Sequence, residues 1–325
     1  MSSALSLRAL SAAVLATLGF FRTPCTEART WFVAEMNTEQ IRQLDPAQTV
    51  VLMPGGILEE HGPYLPSNTD GYVSERMTRD VAEALTERGR DVLIFPSLVL
   101  GAGGANELAA KYPYPGTYTV RLDTLRAVYM DFADQLGEAG FRRVFIINSH
   151  GAPNHGRVLA QASEYFNETY GGRMLHVTGG GAVFRAPDNP RNALSEQARN
   201  EDAWSGHAGI DETSLMLFLR PDLVDPEYKN APAHPATGSN GMIDVAKRDD
   251  WSGYFGAPRY ADASYGAKLY RLTTAAMVKQ ALEALDTPAP VAKSQAGPRR
   301  AVDDAAIARD RALEKRQQDW LQKQR

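Results

Sequence analysis

The chain has 325 residues, 43% of them hydrophobic and 23% charged, an ordinary globular composition that fits one large α/β domain or two small ones. Its net charge of −4 argues against a nucleic-acid or anionic-membrane surface, which needs clustered Lys and Arg. A small polar ligand is the better expectation.

The N-terminus reads as an export leader. Arg8 supplies a positive start, and Ala9 to Phe21 is an apolar run of leader length, too short to span a bilayer as a helix of ~20 residues. Residues 1–28 are therefore expected to be removed, leaving a periplasmic or secreted protein with no membrane contact. Cys25 is the only cysteine. The mature chain then has no disulfide and no thiolate, so any metal must be held by His, Asp and Glu.

Beyond the leader, strand-like and helix-like stretches alternate, the pattern of an α/β fold with a mainly parallel sheet. Thr49 to Met53 is an apolar run ending in Pro54-Gly55-Gly56, which predicts a buried strand and a tight loop. Val73, Met77, Val81 and Leu85 mark one helix face. Val92 to Leu100 reads as the next strand. Leu122 to Ala139 is the clearest helix, with one apolar stripe and Gly140 as its stop. Val144 to Ile147 is a second buried strand, and Asn154 is expected to cap the helix after it. Leu175 to Thr178 is a weaker strand. Leu215 to Leu219 continues a short helix stopped by Pro221, and Pro226 to Arg259 reads as loop. A last core helix is expected over Tyr265 to Leu285. The main domain is thus 29–287, and 288–325 is a Pro/Ala linker followed by a charged helix or tail, solvated or docked on a partner.

Three segments carry candidate chemistry, each at the end of an apolar run. In Gly56 to Pro63, Glu59 and His61 are two residues apart and point the same way in an extended stretch. Asp70 follows where the chain turns into a helix. In Asn148-Ser149-His150-Gly151 the histidine follows a buried strand, and ligands of open α/β sheets bind beyond the strands' carboxyl ends. In His207 to Ser214, Glu212 lies near a helix start, where the dipole favours an anion. His207 stands in a Gly-containing loop, free to swing toward a substrate. Taken singly, each segment reads equally as a solvated loop, a core histidine or a helix-capping carboxylate. His155 reads as structural.

Together they resemble the creatininase family, over roughly Trp31 to Asp225. The matching motifs are GILEEHGPYLP with N-T-D at Gly56 to Asp70, N-S-H-G at Asn148 to Gly151, and H-A-G-x-x-E-T-S at His207 to Ser214; Y-P-G-T at Tyr114 to Thr117 is similar to the family's F-P-G-T. The resemblance implies a three-layer α/β/α fold and two divalent metal ions, zinc or manganese. It implies Glu59, His61, Asp70, His150 and Glu212 as ligands, with Asp70 shared, and His207 as the proton donor to the substrate. Three carboxylates against two divalent ions leave +1, which a bridging hydroxide neutralises. That hydroxide would attack an amide carbon, while the ions clamp the carbonyl oxygen. The resemblance also implies a homo-oligomer, with a hexamer among the states it allows.

Departures bear on the substrate. Gly151 and Ala152 stand where creatinine-hydrolysing members carry a Tyr and a metal-binding Glu. Ala203 stands in place of a substrate-pocket Trp, with Trp204 beside it, and Tyr64 replaces a frequent histidine. Tyr64 and Trp204 are taken as substrate-binding candidates. The expected function is hydrolysis of a C–N bond in a small cyclic amide other than creatinine. Opening of a lactone or sugar-derived ring on the same centre, and a non-catalytic binding protein, are the alternatives.

Overall fold

In the computed structural model, which describes residues 28–286 and 301–324, the apolar runs become five parallel strands of one sheet. These are β1 (Thr30–Phe32), β2 (Val50–Pro54), β3 (Val92–Ile94), β4 (Arg143–Ile147) and β5 (Arg173–Val177), in the order β1-β3-β2-β4-β5. The sheet centre is β2, paired Val50 to Val92 on one side and Val50 to Arg143 on the other. All five of its residues are buried.

Ten helices complete the described chain: α1 (Thr38–Arg42), α2 (Thr69–Glu87), α3 (Leu122–Glu138), α4 (Pro153–Tyr170), α5 (Gly180–Val183), α6 (Glu196–Glu201), α7 (Ile210–Leu219), α8 (Gly238–Ala246), α9 (Ala263–Asp286) and α10 (Ala301–Lys323). Strand periodicity sorts the core into two faces. Val50, Leu52, Phe145 and Ile147 face α2, α7 and α9, meeting Met77, Leu85, Met216 and Met277. Val51, Met53, Val144 and Ile146 face α3 and α4, meeting Tyr129, Leu159 and Phe166. This is the three-layer α/β/α fold expected, with helices covering both faces of a parallel sheet. α7 and α9 cross so closely that a Cβ on Gly266 would fall 1.8 Å from the Ser214 carbonyl oxygen.

Three expectations are corrected, and the C-terminal segment is seen as one of the two forms foreseen for it. The strand at Val92 stops at Ile94, because Pro96 brings no N–H to the ladder. The cap of α4 is Ala152 with Pro153 in the first turn, so Asn154 is inside the helix. The stretch read as loop holds α8, which buries Val245 and Ala246 against the turn at Ala105–Ala109; its Gly- and Asn-rich start hides the helix. The charged C-terminal segment forms α10, half-buried along one side. The leader, apart from Ala28, and the linker up to residue 300 lie outside the described residues.

Candidate metal centre

The carboxyl ends of β2 and β4 bring the first two motifs together. After β2 the chain turns at Gly56, whose φ is +147° and where a Cβ would come 3.0 Å from the Gly71 nitrogen, so the position suits only glycine. It then runs back so that the Glu59 N–H donates to the Ser67 carbonyl. Glu59 and His61 are thereby buried over the first turn of α2, where Asp70 sits. Ser149, after β4, donates its hydroxyl to Asp70 Oδ1 at 3.2 Å and sets His150 beside it.

Two ligand triads result, Glu59–Asp70–His150 and His61–Asp70–Glu212, with Asp70 common to both; Glu59, His61 and His207 form a third grouping. His150 Nδ1 lies 3.2 Å from Glu59 Oε2 and 3.4 Å from Asp70 Oδ2. His61 Nε2 lies 3.6 Å from Glu212 Oε2 and 3.9 Å from Asp70 Oδ2. The structure therefore brings all five predicted ligands and His207 into one cluster.

Backbone carbonyls fix the three imidazoles. His61 Nδ1–H donates to the Glu59 carbonyl at 3.0 Å, His150 Nε2–H to the Ala102 carbonyl at 3.3 Å, and His207 Nε2–H to the Glu60 carbonyl at 2.5 Å. In each case the other nitrogen faces the carboxylates. Orienting a ligand histidine through its second nitrogen is what metal sites require. The donor set fits a metal in a further respect. Glu59 Oε2, His61 Nε2 and Asp70 Oδ2 are buried with no hydrogen-bond partner in the protein, a costly state unless a cation satisfies them.

The electrostatics agree. Burial alone would raise the Glu59 carboxyl, yet His207, His150 and His61 outweigh it and hold it below its ordinary value. Asp70 is held low in the same way, by His150 and His61 against the cost of burial. Burial would lower the histidines, but Glu59 and its carboxylate neighbours raise His150 well above its usual value and His207 to about 9. The metal-free cluster thus holds protons that a metal cation would displace.

Some participants escape a sequence reading. Glu60 is buried, its N–H donates to Thr117 Oγ1 at 3.0 Å, and the Thr117 hydroxyl donates back to its carboxylate. Burial, reinforced by Glu59 and opposed by His207, pushes it up to about 7. The doubled Glu59-Glu60 and the threonine of Y-P-G-T were the available signals. Asp202, fully buried, accepts from the Ile210 and Ala257 N–H groups at 2.9 and 2.8 Å and from Arg191 at 3.3 Å. It pins the start of α7 and the loop that carries His207. In that loop Ser205 and Ala208 both have positive φ, and the Ala208 N–H donates to Glu212 Oε2 at 2.6 Å. Left-handed non-glycine residues in pairs are a strain that functional loops store.

A cavity of about 420 Å³ opens onto Glu59, His150, His207 and Glu212, with Trp204 and Phe184 at its wall, 51% and 62% exposed. Tyr64 is elsewhere, packed edge-on against Tyr254 at 5.8 Å. His155 is fully buried, takes the Ala102 N–H on Nδ1, packs edge-on against His150 at 5.0 Å, and is lowered well below its usual value, burial being the main cause.

A family model described as creatininase, creatinine amidohydrolase, matches residues 34–281. The mycofactocin precursor peptide peptidase of Mycolicibacterium smegmatis is 28% identical over 247 residues, covering 74% of this chain and 87% of that protein. The creatinine amidohydrolase of Pseudomonas putida is 26% identical over 234 residues, covering 66% of this chain and 87% of the relative. Among solved structures, one described as "Creatininase Mn" superposes with a TM-score of 0.65 at 21% identity, covering 80% of this chain and all of that one. A creatininase variant of "Zn-Zn type" gives 0.63 at 20% identity, with 80% of this chain and 100% of that one covered. These likenesses establish the same fold.

Proposed function

The chain belongs to the creatininase family, and from that premise we propose that it is a metal-dependent amidohydrolase that cleaves the C–N bond of a small, polar, cyclic amide. The observation that carries the reading is the sharing of Asp70 between two ligand triads. Glu59, Asp70 and His150 would hold one divalent ion and His61, Asp70 and Glu212 the second, zinc or manganese in either place. Bound there, such a pair supplies water made acidic enough to attack at neutral pH and polarises the scissile carbonyl.

The remaining work falls to the chain's own groups. His207 Nδ1 faces the cluster, 3.7 Å from Glu59 Oε1 and 3.9 Å from Glu212 Oε2, while its Nε2–H is tied to the Glu60 carbonyl. That geometry leaves Nδ1 as the ring atom that carries the proton to the departing nitrogen. General acid help of this kind is worth ~10²–10⁴ in rate. Trp204 offers an apolar face to the substrate at the cavity wall. The mature protein acts outside the cytoplasm as a homo-oligomer.

A peptide amide is the second reading. It is favoured by the name of the Mycolicibacterium relative and by the exposed Phe184 and Trp204 at the cavity mouth. One experiment decides. Protein loaded with Mn or Zn is given matched cyclic amides, lactones and short peptides, with and without chelation. Turnover of a cyclic amide that chelation abolishes and metal restores supports the proposal. Turnover of lactones alone makes the enzyme a ring-opening esterase, and full metal content with no hydrolysis of any panel member overturns the enzymatic reading.

A further inference from the structure

The C-terminal helix α10 lies beyond the family's matched residues, 34–281, yet it touches the site. Its Ala306 lines the same cavity as Glu59, His150, His207 and Glu212, beside Glu107 and Leu108 of the turn Ala105–Ala109. Three contacts hold it there. Asp310 Oδ2 accepts the Leu122 N–H at 2.9 Å, capping α3, whose own cap residue, Arg121, offers no side-chain bond. Glu314 pairs with Arg121 at 3.8 Å. Arg309 stacks over the Tyr112 ring at 3.8 Å, and its charge opposes the effect of burial on the Glu107 carboxyl, which is raised. The half-buried positions Ala306, Ile307, Arg309, Asp310, Leu313 and Glu314 repeat at helical spacing, so one face of α10 is seated on the lip. Seating through charged residues explains why the segment shows no apolar stripe.

We infer that α10 is a wall of the active-site cleft that confines the site to compact substrates and excludes chains running on past the turn at Ala105–Ala109. The enclosed volume of about 420 Å³ is that of a small-molecule pocket, ~300–1,000 Å³. An extended chain advances ~3.3–3.6 Å per residue, so it would have to leave the cavity within a few residues, and on this side α10 stands in its path. The inference deepens the proposed amidohydrolase reading by naming its substrate class, and it rests on that reading.

The test keeps the full chain and separates the two. Arg309→Glu, Asp310→Ala and Glu314→Arg, combined, remove the stacking on Tyr112 and the cap, put a negative charge near Glu107 and make the Arg121 pair repulsive. Ala306→Phe instead thickens the wall. Metal release from Mn- or Zn-loaded protein is followed with free dipicolinate and with the same chelator tethered to a 5 kDa polyethylene glycol. Undocking should raise the tethered rate ~10-fold relative to the free one, a fall in barrier of about 1.4 kcal/mol for the bulky chelator alone. Ala306→Phe should slow both. In parallel, kcat/KM on amides of increasing chain length should flatten with length in the triple variant. Unchanged chelator ratios and unchanged length dependence, with metal content intact, overturn the wall. A shifted chelator ratio with no amide hydrolysed by any variant leaves the wall standing and sinks the amidohydrolase reading.

Discussion

Asp70→Asn is the sharpest perturbation, because Asp70 belongs to both triads. Asparagine keeps the shape and keeps an Oδ1 that can accept from Ser149 at 3.2 Å. What it loses is the charge on Oδ2, the buried oxygen with no hydrogen-bond partner that stands 3.4 Å from His150 Nδ1 and 3.9 Å from His61 Nε2. Removing a group one layer out from a metal typically costs 10–100-fold in affinity, so a directly shared carboxylate should cost ~100-fold or more. Wild type at a free metal concentration of 100 times its Kd gains ~2.7 kcal/mol over its metal-free form, whereas a 100-fold weaker variant gains ~0.4 kcal/mol. At ~2–4 °C per kcal/mol for a chain of this size, the metal-dependent rise in Tm should shrink from ~5–11 °C to ~1–2 °C. The assay is thermal melting in metal-buffered solution, with elemental analysis of the same samples. Two ions per chain and an unchanged Tm rise in Asp70→Asn would refute the shared-ligand assignment.

Glu212→Gln should remove the ion shared with His61 and Asp70 and spare the one at Glu59 and His150; full occupancy by elemental analysis would reduce Glu212 to a helix-start residue bonded to the Ala208 N–H. His207→Ala should cost ~10²–10⁴ in kcat on an amide with metal content intact, and much less on a lactone analogue whose leaving group needs no proton; equal losses would make His207 a positioning group or a ligand. His176 Nε2 is buried without a partner in the protein, and burial, aided by His150, lowers the ring to about 4. A lowered histidine stabilises the fold above the unfolded-state value of ~6.5 and loses that contribution as pH falls toward 4, up to ~3 kcal/mol. Urea midpoints of the metal-free protein at pH 7.5 and 4.5 should therefore converge in His176→Phe. Phe145, fully buried at the sheet centre, should cost ~3–5 kcal/mol as Phe145→Ala, read from the same urea curves.

The ligand set was legible through the resemblance of three motifs, and apolar runs added that two of its members, His61 and His150, follow buried strands. β2 and β4 are adjacent and parallel, so their carboxyl ends, and with them His61 and His150, had to meet. Glu212 at the start of α7 was legible for its helix position alone; its contact with His61 depends on Asp202, which no local pattern announces. Glu60 was hidden for a different reason. Two-residue periodicity turns it away from Glu59 and His61, toward apparent solvent, and only the distant Thr117 folds over it. The helix α8 and the seating of α10 were hidden because each touches the body through few apolar side chains, and patterning reads apolar contact.

One departure from the family's motifs packs against the loop that precedes Tyr114-Pro115-Gly116-Thr117. Ala152 stands where a metal-binding glutamate is expected, and the loop from Gly103 to Pro113 runs beside it. In the structure they meet. A Cβ built on Gly103, whose φ is +86°, would lie 2.9 Å from the Ala152 Cβ, so the loop at 103 occupies the space a longer side chain at 152 would need. That loop is not passive. Two residues on, the Ala105 N–H donates to Glu59 Oε1 at 2.5 Å, and Glu107 feels the charge of Arg309 of α10. The Ala105 N–H thus orients Glu59, while Glu212, a residue of the H-A-G-x-x-E-T-S motif, reaches His61 from α7. Neighbouring Gly151 meets nothing within 4 Å, so where an aromatic ring is expected there is open cavity. A site rebuilt in this way keeps three carboxylates and three histidines around one centre while reshaping the wall that a substrate touches. Conserving the charge set and altering the wall changes what is bound without changing what is done to it, since attack and proton donation depend on the former and selectivity on the latter.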